Sequence, residues 1–277
     1  MRDARPALRT LSARVAAGLL ALSLLHSAFV RASATRSATR LDIRGHAQTL
    51  QIYGMPSPKI ALVSSGDGGW VHLAPHVAEV LAARGWYVVG FDAKSYLEAF
   101  TGGGKALSEL DVQKDYARLI DFITPRDRDR PVLIGVSEGA GLSVLAATND
   151  AVKRRIQGVV GLGLPDISEL GWRWRDMLIY VTHTIPNEPT FSAANVIGRL
   201  APVPLAAIHS THDEFVPPSE INRVMARAGE PKKLWMIEAG NHRFSDNEGE
   251  FDRRLFEALA WLSAHAPQEP SPSATPR

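Results

Sequence analysis

Short apolar runs rich in β-branched residues alternate along the chain with stretches in which apolar residues recur every three or four positions. The runs fall at Ile60–Ser64, Tyr87–Phe91, Val132–Val136, Val159–Leu162, Leu205–His209 and Leu234–Ile237. Runs without polar interruption predict strands buried on both faces. Between them Val112, Tyr116, Leu119, Ile120 and Ile123 share one helical face, as do Phe251, Leu255, Leu259 and Leu262, and Leu73, Val77, Val80 and Leu81. Buried strands alternating with amphipathic helices predict an α/β fold, a mostly parallel central sheet with helices on both faces, over about residues 41–265. One stretch breaks the rhythm. Residues 166–195 are irregular and rich in Trp, Pro and Asn, and are expected to form a short cap insertion over a site at the strand tips. Residues 266–277, rich in Pro and Ser, are expected to be a disordered tail.

Composition narrows the class. The 277 residues are 45% hydrophobic and 22% charged, which suits one sizeable core and excludes collagen-like, coiled-coil and fully disordered chains. The formal charge of +2 is unevenly placed: residues 1–40 hold seven Arg and one Asp, leaving 24 basic and 28 acidic residues beyond. The basicity is therefore an address, not a binding surface. Arg2, Arg5, Arg9 and Arg14 precede the apolar run Val15–Leu25, and Ala32-Ser33-Ala34 offers small residues for cleavage. Residues 1–34 are expected to be a secretory signal, or else an uncleaved anchor, and the protein to be exported, in the bacterial case to the periplasm. The chain has no cysteine, which excludes disulfides, thiolate catalysis and cysteine-based zinc sites.

The chemistry gathers at predicted strand ends. Gly135-Val136-Ser137-Glu138-Gly139 follows a strand and precedes a helix-compatible segment. Small residues flank a serine in this way when a sharp turn lifts its hydroxyl clear of the sheet. Asp213 follows the run Leu205–His209, and His242 follows the run ending at Ile237. A serine hydroxyl is a poor nucleophile until an imidazole takes its proton, and the imidazole needs a carboxylate to hold its tautomer. The order Ser137, Asp213, His242 is that of α/β-hydrolases. Asp166 is the reserve candidate for the acid. Acyl transfer also creates an oxyanion that needs two aimed N–H donors, typically worth about 3–4 kcal/mol each. One is expected from Glu138, the other from Asp67 in the glycine-rich turn Ser65-Gly66-Asp67-Gly68-Gly69-Trp70.

The strand–SGDGGW–helix segment, the second strand ending Gly90-Phe91-Asp92 and the G-x-S-x-G-A elbow together resemble the VirJ/AcvB family of exported α/β-hydrolases, from about Ile60 to Leu145. The resemblance implies Ser137 as nucleophile, Ser65–Trp70 as oxyanion turn, and cleavage of aminoacyl esters from aminoacylated phosphatidylglycerol at the membrane surface. The family elbow runs approximately G-Y-S-F-G-A-D, where this chain has Gly-Val-Ser-Glu-Gly-Ala-Gly, and the aromatic segment after the second strand is reduced to Lys94-Ser95-Tyr96-Leu97. Glu138 and Asp67 place two carboxylates near the oxyanion turn. They either suit an acyl group bearing an ammonium or turn away to solvent and helix caps. Gly68, Trp70, Trp172 and Trp174 are the candidate substrate contacts; Trp172, Trp174 and Arg175 either grip a lipid headgroup or pack the cap.

No cofactor is expected. Gly102-Gly103-Gly104-Lys105 lacks the first glycine and the hydroxyl of a P-loop, and Gly139-Ala140-Gly141 lacks the third glycine of a dinucleotide site. The nine histidines show no metal-ligand spacing, and no basic-aromatic pattern points to nucleic acid. The expected activity is that of a serine hydrolase on carboxylic esters, with aminoacyl-phosphatidylglycerol the preferred substrate. A generic carboxylesterase or lipase, and a non-catalytic extracytoplasmic interaction factor with the same fold, are the alternatives.

Overall fold

A computed structural model describes residues 36–101, 106–124, 126, 129–173 and 188–267. Residues 1–34, expected as a leader, residues 102–105, Trp174 and Arg175 with the middle of the insertion, and residues 268–277 of the expected tail lie outside the described residues.

Eight strands form one sheet. They are β1 (Arg36–Ile43), β2 (His46–Tyr53), β3 (Ile60–Ser64), β4 (Tyr87–Phe91), β5 (Val132–Val136), β6 (Gly158–Leu162), β9 (Leu205–Ser210) and β10 (Lys232–Ile237), in the order β1-β2-β4-β3-β5-β6-β9-β10. Two short strands within the insertion, β7 (Ile167–Glu169) and β8 (Thr190–Ser192), pair antiparallel outside it. From β4 to β10 every neighbour pair is parallel, while β1 and β2 add an antiparallel edge.

The six runs predicted as strands are β3, β4, β5, β6, β9 and β10, because each carries apolar side chains alternately to two opposite faces. Leu62, Val89, Leu133, Val159 and Leu205 point into one core, shared with the helices Ala93–Thr101, Glu109–Ile123, Glu138–Ala147 and Pro218–Arg227. Ala61, Val63, Val88, Val132, Ile134, Val160 and Ile208 point into the other, under the helices Leu73–Ala82 and Glu248–His265. Burying one such side chain contributes roughly 1.5–3 kcal/mol, so the two cores hold the sheet from both sides.

The first hairpin begins at Arg36, ahead of the expected start at residue 41. Its two-residue turn has both central residues left-handed, Arg44 at φ 52° and Gly45 at φ 86°, which matches the twist of paired antiparallel strands. Arg44 tolerates this backbone because Asp115 holds its guanidinium at 2.9 and 2.7 Å from Nε and Nη2, and Tyr96 Oη donates to the same carboxylate at 2.6 Å.

The topology reverses at β3, whose chain continues on one side to β4 and later on the other to β5. Such a switch opens a crevice at the carboxyl ends of the strands. The turns after β3, β5, β6, β9 and β10 all open onto that edge, and each carries a residue of the candidate site.

Candidate active site

β5 ends at Val136 and the next helix begins at Glu138, which leaves Ser137 as the whole turn. Its backbone takes φ 51° and ψ −117°, a strained conformation for a residue with a side chain. The surroundings over-determine it. Ser137 N–H donates to Leu162 O at 2.8 Å, and Ser137 O accepts from Ala140 N–H at 2.8 Å. The turn also needs its glycines: a Cβ on Gly135 would lie 2.2 Å from Gly139 O, and one on Gly139 2.3 Å from Ser65 O.

The glycine-rich turn after β3 lies directly against the serine, since a Cβ on Gly66 would sit 3.3 Å from Ser137 Cβ. The turn is tied down by Ser65 N–H to Phe91 O (2.9 Å), Gly69 N–H to Gly66 O (3.0 Å) and Trp70 N–H to Asp92 Oδ2 (3.3 Å). Asp67 is half-buried and Gly68 exposed. Trp70 turns its ring onto Gly90 of β4, where a Cβ would lie 2.2 Å from the indole, and its Nε1–H donates to Tyr53 Oη at 3.2 Å. That ring is occupied in clamping the turn to the sheet.

Asp213 and His242 meet across the ends of β9 and β10. His242 Nδ1–H donates to Asp213 Oδ2 at 2.6 Å, and His242 Nε2 is buried without a hydrogen-bond partner among the described residues. Asp213 Oδ1 accepts from the N–H groups of Phe215 (2.9 Å) and Val216 (2.8 Å). Burial alone would raise the Asp213 carboxyl; the bond to and charge of His242, with these two amides, hold it below the usual carboxylate range. The His242 ring lies against the chain after β6: a Cβ on Gly163 would come 2.4 Å from its Cε1. Leu162, one residue earlier, accepts the Ser137 amide, so serine and imidazole flank the same dipeptide. Phe215 stands edge-on to the ring at 5.6 Å, and Glu214 Oε2 accepts the His242 main-chain N–H at 2.6 Å.

Asp166 is placed elsewhere. Its Oδ1 accepts from Ser192 Oγ (2.7 Å) and Ala194 N–H (3.0 Å), and its Oδ2 pairs with Arg223 at 3.1 Å. It fastens the far end of the insertion to the helix Pro218–Arg227, and the carboxylate bonded to His242 is that of Asp213.

Glu138 departs from both sequence readings of its side chain. It points inward, is buried, and accepts the Glu169 main-chain N–H through Oε1 at 2.8 Å. Burial first, then the charges of Glu169 and Asp67, push its carboxyl well above the usual range, which favours the neutral acid. Its inward direction also turns it away from a nearby oxyanion or ammonium. Its main-chain N–H belongs to the first turn of a helix and has no partner within that helix. Trp172 is buried in the core, its main-chain N–H donating to Thr101 Oγ1 at 2.9 Å and its ring under Lys94 Nζ at 4.4 Å. Among the described residues no group of three His, Asp or Glu side chains could hold a metal ion, and no helix is long and apolar enough to cross a membrane.

Glu214, Gly163 and His209, a buried histidine of β9 near Asp213, escaped the sequence reading. The stretch His209–Pro217 carried a signal, because a polar cluster directly after a buried strand is a poor place to stop at one acid.

An eight-stranded sheet of this order, with a one-residue turn after its central strand, is the α/β-hydrolase fold. Solved structures agree on that fold. The crystal structure described as a membrane phospholipase A and novel bacterial virulence factor aligns with TM-score 0.62 and 13% identity over 91% of this chain and 96% of that one. The esterase Pf2001 of Pyrococcus furiosus aligns with TM-score 0.62 and 18% identity over 83% and 91%. Est1E of Butyrivibrio proteoclasticus aligns with TM-score 0.60 and 16% identity over 82% and 99%. Within the fold, the chain belongs to the family described as bacterial virulence protein (VirJ), which it matches over residues 58–260. It is 34% identical to the uncharacterized protein YfhR of Escherichia coli strain K12 over 218 residues, 76% of this chain and 72% of that protein, and 25% identical to YfhR of E. coli O157:H7 over the same extent.

Proposed function

We propose that the protein is a serine hydrolase of carboxylic esters that works through an acyl-enzyme. The observation that carries this reading is the 2.6 Å bond from His242 Nδ1 to Asp213, which fixes the tautomer and leaves the buried Nε2 free to take a proton. Ser137 Oγ attacks the ester carbonyl as Nε2 accepts its proton. The amides of Glu138 and Asp67 receive the oxyanion. His242 then protonates the leaving alcohol, and a water, activated by the same imidazole, hydrolyses the acyl-enzyme.

The preferred substrate is an aminoacyl ester of phosphatidylglycerol at the membrane surface, supported by membership of the VirJ family. Of the two carboxylates considered for an ammonium-bearing acyl group, Asp67 is the one left to meet it, since Glu138 is buried and turned to the Glu169 amide. The arginine-rich leader supports action outside the cytoplasmic membrane. The test is a panel of lysyl-, alanyl- and simple fatty-acyl esters with wild type and Ser137→Ala. Faster Ser137-dependent turnover of the aminoacyl esters is expected. Equal turnover of all three points to a generic esterase, and none in wild type contradicts the hydrolase reading.

A further inference from the structure

Behind Asp213 lies a second imidazole that the proposed mechanism does not use. His209 is the penultimate residue of β9, a strand paired on both sides, and is fully buried. Its Nε2 lies 2.8 Å from Val216 O and 3.8 Å from Asp213 Oδ2. A carbonyl only accepts, so the proton sits on Nε2, and the buried Nδ1 has no hydrogen-bond partner among the described residues. One oxygen of Asp213 thus stands between two rings, 2.6 Å from His242 and 3.8 Å from His209.

The charged and titratable groups facing His209 are Asp213, His242 and Glu220 of the helix Pro218–Arg227; those facing His242 are Asp213 at Nδ1 and Glu214 at the main-chain N–H. Burial, followed by the opposing pull of the Val216 carbonyl and Asp213, leaves the His209 ring below the ordinary imidazole range. A neutral ring takes none of the Asp213 charge away from His242. What it supplies is mechanical. Val216 is gripped at both ends of its residue: its N–H by Asp213 Oδ1 and its carbonyl by His209. The loop that carries Asp213 is thereby tied to the end of β9, a strand paired on both sides.

We propose that His209 is a positioning residue, which aims Asp213 Oδ2 at His242 by anchoring the Val216 carbonyl to the end of β9. The inference rests on the reading of Asp213 and His242 as acid and base. It is tested with His209→Gln, whose amide N–H reaches about as far as Nε2, and His209→Met, which fills similar volume without a donor. Three readouts are taken: kcat and KM on an ester, the titration midpoint of His242 followed by NMR of labelled histidine, and thermal unfolding.

His209→Gln is expected to keep kcat within about threefold of wild type. His209→Met is expected to lower kcat about tenfold with KM changed less than about twofold, the scale of one lost hydrogen bond to a buried acceptor. Its His242 midpoint should fall below that of wild type, because a misaimed carboxylate stabilises the imidazolium less. If His209→Met does not fold, His209→Asn, whose amide stops short of Val216, is read in the same way. A lowered unfolding temperature with unchanged kcat and an unchanged His242 midpoint overturns the proposal. The titration needs no turnover: a protein inactive on every ester but with a His242 midpoint that follows residue 209 refutes the hydrolase reading alone.

Discussion

The main-chain N–H of Glu169 donates to the buried carboxyl of Glu138 at 2.8 Å, tying the residue after the elbow serine to the first strand of the insertion. A carboxyl whose neutral form is favoured at this place joins two segments while placing little charge beside Ser137. Glu138→Gln preserves the acceptor and the neutrality, so activity at neutral pH should stay within about threefold of wild type, whereas Glu138→Ala should lose roughly 1–3 kcal/mol by leaving the Glu169 amide unsatisfied. The sign of the pH dependence follows from the raised folded-state pKa. The proton-linked stability is fully present below the unfolded glutamate range and is lost as pH rises from there through the folded value. Wild type should therefore weaken relative to Glu138→Gln as pH rises above the unfolded glutamate range, measured by urea unfolding across a pH series. A constant difference between them contradicts the assignment.

Two aspartates competed for one role in the sequence, and geometry separates them. Asp213→Asn should lower kcat/KM by roughly three to four orders of magnitude by disturbing the imidazole tautomer. Asp166→Asn removes charge from the contact with Arg223 and should leave kcat/KM within about threefold, with a stability loss of about 1 kcal/mol. The paired kinetics check it: a comparable loss in both variants means Asp166 also serves the histidine.

Gly163 gives His242 its room. A Cβ there would overlap the imidazole at 2.4 Å, on a backbone with φ 59°. Gly163→Ala should cost about 1–2 kcal/mol of stability and at least about tenfold in kcat, by pushing the ring away from Ser137. A fully active Gly163→Ala would mean that His242 has freedom the packing denies it.

Trp70 clamps the Ser65–Trp70 turn through its ring on Gly90 and its bond to Tyr53. Trp70→Phe should lose about 1 kcal/mol, be matched by Tyr53→Phe, and change KM less than about twofold. A large rise in KM with stability unchanged would return Trp70 to the substrate contacts.

The interior strands could be read from the chain because each is buried on two faces and so shows an unbroken apolar run; β3, β4 and β5 keep the predicted limits to the residue. The β1–β2 hairpin hid for the opposite reason. It is an edge with polar outward positions at Ser37, Thr39, Gln51 and others, and its turn opens with arginine, whose left-handed backbone becomes intelligible only once Asp115 is beside it. Around the site, positions at strand ends were legible, and the contact of Asp213 with His242 follows from topology. Side-chain direction was not: nothing local in Gly-Val-Ser-Glu-Gly says that Glu138 turns inward, since its partner is 31 residues on. His209 reads as an ordinary core residue until its distance from Asp213 is known.

The most direct measurement is intact-mass analysis of wild type, Ser137→Ala and His242→Ala after exposure to a fluorophosphonate. One adduct on wild type, mapped to Ser137, with none on Ser137→Ala and far slower labelling of His242→Ala, is the expected result. A folded wild type that takes no label, or an equal adduct on Ser137→Ala, would contradict Ser137 as the nucleophile.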